Sequence, residues 1–199
     1  ILREELSGHV SNIEPAEDAS SGGLDFLCNQ AGREFFVECT CLTRDAVTRK
    51  TSLPDLPEPG AQSYSHLTRD FQNTIREKGT QLGKYPNTCR VLAICTLHCS
   101  ASALCFNNGA AEFVLVEPQI AWHVNTKTGE TVGDIFQISD LKSAAFLRPG
   151  TADEPTPSAA RQYASAVLLC GFGRIPRSIC GIINCDASVE FDRSLLPDI

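Results

Sequence analysis

The sequence predicts an α/β fold in which a mixed β-sheet is flanked by helices, and three observations predict it. Two apolar strand-like runs near the start are separated by a turn-like tetrad, an amphipathic helical pattern follows, and a continuous apolar run of strand length comes directly after the helix. At 199 residues and 42% hydrophobic, the chain is long enough to bury a core, and typical domain sizes make residues 1–199 a single domain.

Taken in order, Leu2, Leu6, Val10 and Ile13 recur at spacings of three and four and predict the end of an amphipathic helix over 1–13, followed by a polar Glu/Asp/Ser/Gly loop. Gly23 to Asn29 and Glu34 to Leu42 read as strands, and Gln30-Ala31-Gly32-Arg33 between them suits a hairpin turn. Thr43 to Ala61, with Pro54, Pro57 and Pro59, reads as an irregular connection. Leu67, Phe71, Ile75 and Leu82 predict a helix over 64–82, with Ser63 or Ser65 as its cap, stopped by Gly83 and Pro86. The run CRVLAICTL, 89–97, has no polar alternation, as expected of a central strand covered on both faces. Beyond it we expect a short strand at 112–116, a short helix at 139–146, a Pro/Thr/Gly loop at 149–157, and a late strand pair, Ala164 to Phe172 and Ser178 to Cys185.

Charged residues make up 21% of the chain and the longest apolar stretches are strand-length, which excludes disordered and membrane-spanning classes from the expectation. A net charge of −7 argues against a protein that coats nucleic acid through bulk positive potential. Locally the balance reverses, for residues 41–90 hold eight basic side chains against five acidic ones. The chain opens at Ile1 and has no methionine, so we read it as an internal piece; no secretory leader pattern is visible, and a cytoplasmic location is expected. Most of the ten cysteines sit in apolar strand-like runs, where a free thiol behaves as a small hydrophobe, and we expect core packing rather than disulfides or zinc.

The chemistry-bearing residues gather in the first half. Asp25 in GLDFLC and Glu38 in FFVECTC project from two strands that a short turn makes antiparallel neighbours. Ionised carboxylates in apolar surroundings are costly unless a cation joins them, and a hard divalent ion does so with oxygen ligands. On the next helix, Lys78 and Gln81 are three apart and Tyr85 follows seven after Lys78, so a cation, an amide and a phenol lie along one side of the helix end.

These pieces together, LDF, a turn, FFVECT, a helix bearing K-x-x-Q-x-x-x-Y and a hydrophobic strand, resemble the PD-(D/E)XK nuclease superfamily, the restriction-endonuclease-like fold. The resemblance covers about residues 1–100 and leaves 101–199 as sheet completion and accessory elements. It implies a Mg2+- or Mn2+-dependent hydrolysis of phosphodiester bonds, with DNA the expected nucleic acid. By position, Asp25 matches the motif aspartate and Glu38 the glutamate, with the carbonyl of Cys39 as a further metal ligand. Gln81 and Tyr85 match the Q-x-x-x-Y element of the RecB-like branch, and Glu4 or Glu5 the first-helix glutamate. Thr40 stands where the family's lysine is expected. In some branches that lysine has migrated to the neighbouring helix, which makes Lys78 the candidate here and Lys50 a second one. Lys78 would then orient the nucleophile or neutralise the transition state, while Arg44, Arg49 and Lys50, on the flexible loop, would hold the distal backbone.

The alternative on the same fold is a catalytically inactive module that binds nucleic acid or protein. A cysteine hydrolase using Cys99 or another thiol with His98, His66 or His123 is a third class, disfavoured because adjacent residues 98 and 99 point apart on a strand. His9, His66, His98 and His123 show no HExxH spacing, and Trp122 reads as a half-buried anchor. A homodimer or a larger parent protein is left open.

Overall fold

The computed structural model describes residues 1–16, 23–56, 65–105, 117–125, 127–128, 131–140, 146–149, 155–157 and 161–197. Its centre is a six-stranded mixed sheet of β1 (Asn12–Pro15), β2 (Phe26–Gln30), β3 (Arg33–Leu42), β4 (Cys89–Thr96), β9 (Ala166–Gly171) and β10 (Ser178–Ile183), adjacent in that order. The pairs β1–β2, β2–β3 and β9–β10 are antiparallel, whereas β3–β4 and β4–β9 are parallel. Two two-stranded ribbons lie apart from it: β5 (Glu117–Val124) with β6 (Thr131–Asp140), and β7 (Leu147–Pro149) with β8 (Pro155–Pro157).

Parallel neighbours require a crossover, and the β3-to-β4 connection carries two helices, α2 (Arg44–Thr51) and α3 (Ser65–Leu82). The inward stripe of α3 is Leu67, Phe71, Ile75 and Leu82, all fully buried against one face of the sheet. At roughly 1.5–3 kcal/mol for each such side chain, this stripe is the main reason the helix forms. The opposite face packs Phe35, Val37, Val91, Ala93 and Leu168 against Leu2 and Leu6 of α1 (Leu2–Leu6) and against Leu195 and Leu196. Every residue of β4 is buried, as its near-continuous apolar run requires.

Arg90 is the exception within that strand. Its guanidinium donates to the Leu82 carbonyl at the end of α3 (3.4 Å) and to Ser188 Oγ (2.8 Å), and it lies 5.4 Å from the centre of the Tyr163 ring. Burial pushes its pKa down, and the helix-end carbonyl offers the partly negative partner a buried cation needs. A central strand and the last turn of α3 are thereby tied together.

The β2–β3 hairpin turns through Ala31 and Gly32, both in the left-handed region with φ of 52° and 78°. That conformation matches the twist of the strands it joins, and the Gly32 N–H donates to Asn29 Oδ1 at 3.1 Å.

Several sequence expectations need correction. The first helix ends at Leu6, and Ile13 belongs to β1, so the three-and-four spacing there spans a helix, a turn and a strand. The connection after β3 is helical over 44–51: Thr43 caps it by accepting from the Ala46 N–H at 3.4 Å, and Val47 and Thr51 point inward. Ser139 and Asp140 end strand β6 rather than starting a helix, and residues 141–145 lie outside the described residues, as does the strand expected at 112–116. Short strands occupy both ends of the segment expected to be a Pro/Thr/Gly loop. The late strand pair forms as a hairpin, and β9 completes the parallel core beside β4. Among the described residues no helix is long and apolar enough to cross a membrane.

Candidate active site on the helix-covered face of the sheet

Side chains alternate along a strand, so Phe36, Glu38, Thr40 and Leu42 of β3 share the face that α3 covers. The last β2–β3 pair is Phe26 with Val37, and Leu27 pairs with Phe36. Continuing this register one residue brings Asp25 opposite Glu38, on the same face. The Cys39 N–H donates to Asp25 Oδ2 at 2.6 Å, which fixes the aspartate against the main chain directly after Glu38. The N–H and C=O of one extended residue point to the same side of its strand, so the Cys39 carbonyl also faces Asp25.

Glu38 is only 2% exposed. A carboxylate so buried is costly without a cation, and the amine of Lys78 stands 2.7 Å from its Oε1. Lys78 follows Ile75 by three residues and precedes Leu82 by four, which puts it on the buried stripe of α3. Its amine also donates to Gln81 Oε1 at 3.1 Å, and Gln81 Nε2 reaches the Gly23 carbonyl at 3.4 Å. Strand, helix and the approach to β2 thus meet at one polar island within an apolar layer.

The structure brings together Asp25, Glu38, the Cys39 main chain, Lys78 and Gln81. Thr40 shares their face one step along β3 and is partly exposed. Tyr85 packs, ring centres 4.5 Å apart, on Phe36, which lies two residues before Glu38 on the same face of β3. Glu4 and Glu5 are not part of the group: Glu4 is exposed, Glu5 pairs with Arg177 at 2.7 Å, and their helix packs on the opposite sheet face. Arg44, Arg49 and Lys50 lie on α2, not on a flexible loop. Arg44 donates to the Leu97 carbonyl at 2.9 Å and Lys50 pairs with Asp70 at 3.1 Å, whereas Arg49 is exposed.

No family model, curated protein or solved structure matches the chain. The donor set must therefore speak through its own chemistry. Two carboxylates and a main-chain carbonyl are hard oxygen donors, and Mg2+ is bound through one or two carboxylates with several waters retained. Among the described residues no group of three or more His, Cys, Asp or Glu gathers as a metal cage; a site of two carboxylates with carbonyl and water oxygens needs none. The residues present fit such an ion.

The thiols are elsewhere engaged. Cys39 Sγ lies 3.7 Å from Cys95 Sγ, and this contact together with burial pushes the Cys39 thiol far above its ordinary range. Burial raises Cys28 to about 12. Cys99 Sγ donates to the Gly173 carbonyl at 2.8 Å. His98 Nδ1 accepts from the Ala101 N–H, leaving Nε2 to donate to the Leu53 carbonyl, so its ring caps a short helix, α4 (Cys99–Ser102). Sequence reasoning missed two contributors here, the Gly23 carbonyl and the Cys39 N–H. Main-chain groups leave no residue-type signal.

Proposed function

We propose that the chain is a Mg2+- or Mn2+-dependent nuclease that hydrolyses phosphodiester bonds, with DNA as the expected substrate, on a restriction-endonuclease-like core. The single observation carrying this reading is the convergence of Asp25, Glu38 and the Lys78 amine on one sheet face. The order of a carboxylate-bearing hairpin, a lysine-bearing helix and a buried strand parallel to β3 supports the resemblance to PD-(D/E)XK nucleases.

Asp25, Glu38 and the Cys39 carbonyl would hold the ion. When bound, it would acidify a water nucleophile and stabilise charge developing on the phosphate. Lys78, held between Glu38 and Gln81, presents a fixed positive charge where the phosphate oxygens gather charge. Gln81 restrains the amine's rotation and links it to the chain entering β2. Thr40 leaves room on β3 where a lysine of the motif would stand, and the amine arrives from α3 instead. Arg49 is exposed on α2 and makes no hydrogen bond or ion pair among the described residues, and it would meet the distal backbone.

The test is cleavage of supercoiled DNA, duplex and single-stranded oligonucleotides, and RNA with Mg2+ or Mn2+. Nicking that disappears with EDTA and in Glu38→Ala, Asp25→Ala and Lys78→Met supports the reading. Cleavage untouched by these substitutions would sink it.

One observation favours a second reading, an inactive binding module. Lys78 already neutralises Glu38 at 2.7 Å, so the pair satisfies itself without a metal. Nucleic-acid binding that needs no divalent ion, with no cutting under any condition, would support this alternative.

A further inference from the structure

Cys39 links the proposed site to a second piece of chemistry. Its main-chain N–H points along the sheet towards β2 and meets Asp25, while its side chain points to the face opposite α3. There four thiols collect on three adjacent parallel strands. Cys41 pairs with Cys95 across β3–β4, Cys95 pairs with Cys170 across β4–β9, and Cys39 sits two residues before Cys41 on the same face. Cys39 Sγ and Cys95 Sγ are 3.7 Å apart, Cys39 is half-buried and Cys41 is exposed.

We propose that Cys39 and Cys95 form an oxidisable dithiol, and that closing it into a disulfide disables the Asp25–Glu38 site. This rests on the metal-site reading above. The contact is diagonal, because the ladder partner of Cys95 is Cys41 and not Cys39. Diagonal neighbours are too far apart along the main chain to be bridged without backbone movement, since a disulfide brings the sulfurs to about 2.05 Å and the Cα atoms within about 7 Å. Closure therefore draws β3 along β4 at Cys39. The N–H that Asp25 accepts from, and the carbonyl beside it, move with that residue. Asp25 loses its anchor, and the oxygen donors separate.

The oxidant is a hydroperoxide. The Cys39 thiol, held above its ordinary range, first passes its proton to water. Its sulfur then attacks one peroxide oxygen, the O–O bond breaks, the departing hydroxide takes up that proton, and with hydrogen peroxide one water leaves behind a sulfenic acid. The sulfur of Cys95 then attacks the Cys39 sulfur and expels the hydroxyl as a second water, taking up the Cys95 proton. Two S–H bonds and one O–O bond are lost, one S–S bond and two O–H bonds form, both sulfurs are oxidised and the peroxide is reduced.

The experiment treats the full chain with hydrogen peroxide, maps linked peptides by non-reducing mass spectrometry, and measures Mn2+ affinity by electron paramagnetic resonance before and after. A Cys39–Cys95 link is expected in the unaltered chain and in Cys41→Ser, but not in Cys95→Ala. Mn2+ affinity is expected to fall at least tenfold on oxidation and to recover with dithiothreitol, whereas Cys95→Ala keeps its affinity through the treatment. A map without the Cys39–Cys95 link, a link made only through Cys41 or Cys170, or a link that leaves affinity unaltered overturns the proposal while leaving the metal site standing. Reduced protein that binds no Mn2+ overturns the metal-site reading itself, and the coupling with it, whatever the peptide map contains. Should Cys95→Ala fail to fold, Cys95→Val serves in its place.

Discussion

The amine of Lys78 lies 2.7 Å from Glu38 Oε1 across forty residues of sequence, one group arriving from a helix and the other from the strand beneath it. The pair is asymmetric: the Glu38 side chain is 3% exposed and that of Lys78 is 31% exposed. Removing either partner therefore has unequal consequences.

Lys78→Met takes the amine from a buried carboxylate and is expected to cost about 2–4 kcal/mol, whereas Glu38→Gln leaves an amine that can turn to water and costs less. The double variant Glu38→Gln/Lys78→Met should recover most of the Lys78→Met loss. Urea unfolding of all four proteins checks this; additive losses would mean that the two groups do not interact.

Much of this site was legible in the sequence. Glu38 inside an apolar strand, and Lys78 on the stripe defined by Phe71, Ile75 and Leu82, each broke a clear hydrophobic pattern, and such breaks are visible without coordinates. Helix α2 was not legible, because the prolines at 54, 57 and 59 made the whole stretch look irregular and masked Thr43 as a cap. The β5–β6 ribbon was missed although Ile120, Trp122 and Val124 alternate with Gln119, Ala121 and His123 along β5, because β6, TVGDIFQISD, alternates less cleanly. The long-range placement of Arg44 and Lys50 depended on that missed helix.

Ala31 holds a φ of 52°, a region that an L-residue with a Cβ enters at a cost of about 1 kcal/mol. Ala31→Gly or Ala31→Asn is expected to raise stability by about 0.5–1 kcal/mol, with Asn the better choice because it adds less freedom to the unfolded chain. Thermal unfolding monitored by circular dichroism reads the change, and a lowered midpoint for both variants would contradict it.

Gly173 passes so close to the end of β4 that a Cβ there would stand 2.5 Å from the Leu97 carbonyl oxygen and 2.7 Å from the His98 carbonyl carbon. Both are main-chain atoms and cannot swing aside. Gly173→Ala should cost about 1–3 kcal/mol, and it should also disturb the Cys99 thiol that donates to the Gly173 carbonyl. Unfolding midpoint and the rate of Cys99 alkylation are the two measurements; an unchanged midpoint would show that the chain shifts freely.

Ser194 and Arg33 hold the Asp192 carboxyl down to about 2, with the serine hydroxyl and N–H contributing most. A carboxyl depressed in the folded state adds stability above its unfolded value near 3.8, loses it progressively as pH falls towards 2, and adds nothing below that. The stability difference between the native chain and Asp192→Asn should therefore narrow across that window and stay constant above it. Acid unfolding curves of the two proteins test this, and parallel curves from pH 4 to 2 would refute it.

The two-residue loop at Ala31 and Gly32 is the ruler by which the whole constellation is measured. Neighbouring positions on a strand look to opposite sides, so one residue gained in that bend would give Val37 the berth of Glu38, one residue lost would give it to Cys39, and either turns the acid away from its lysine. Exposed bends are ordinarily where chains accept changes in length. This one, out in the solvent, is as intolerant of them as the interior.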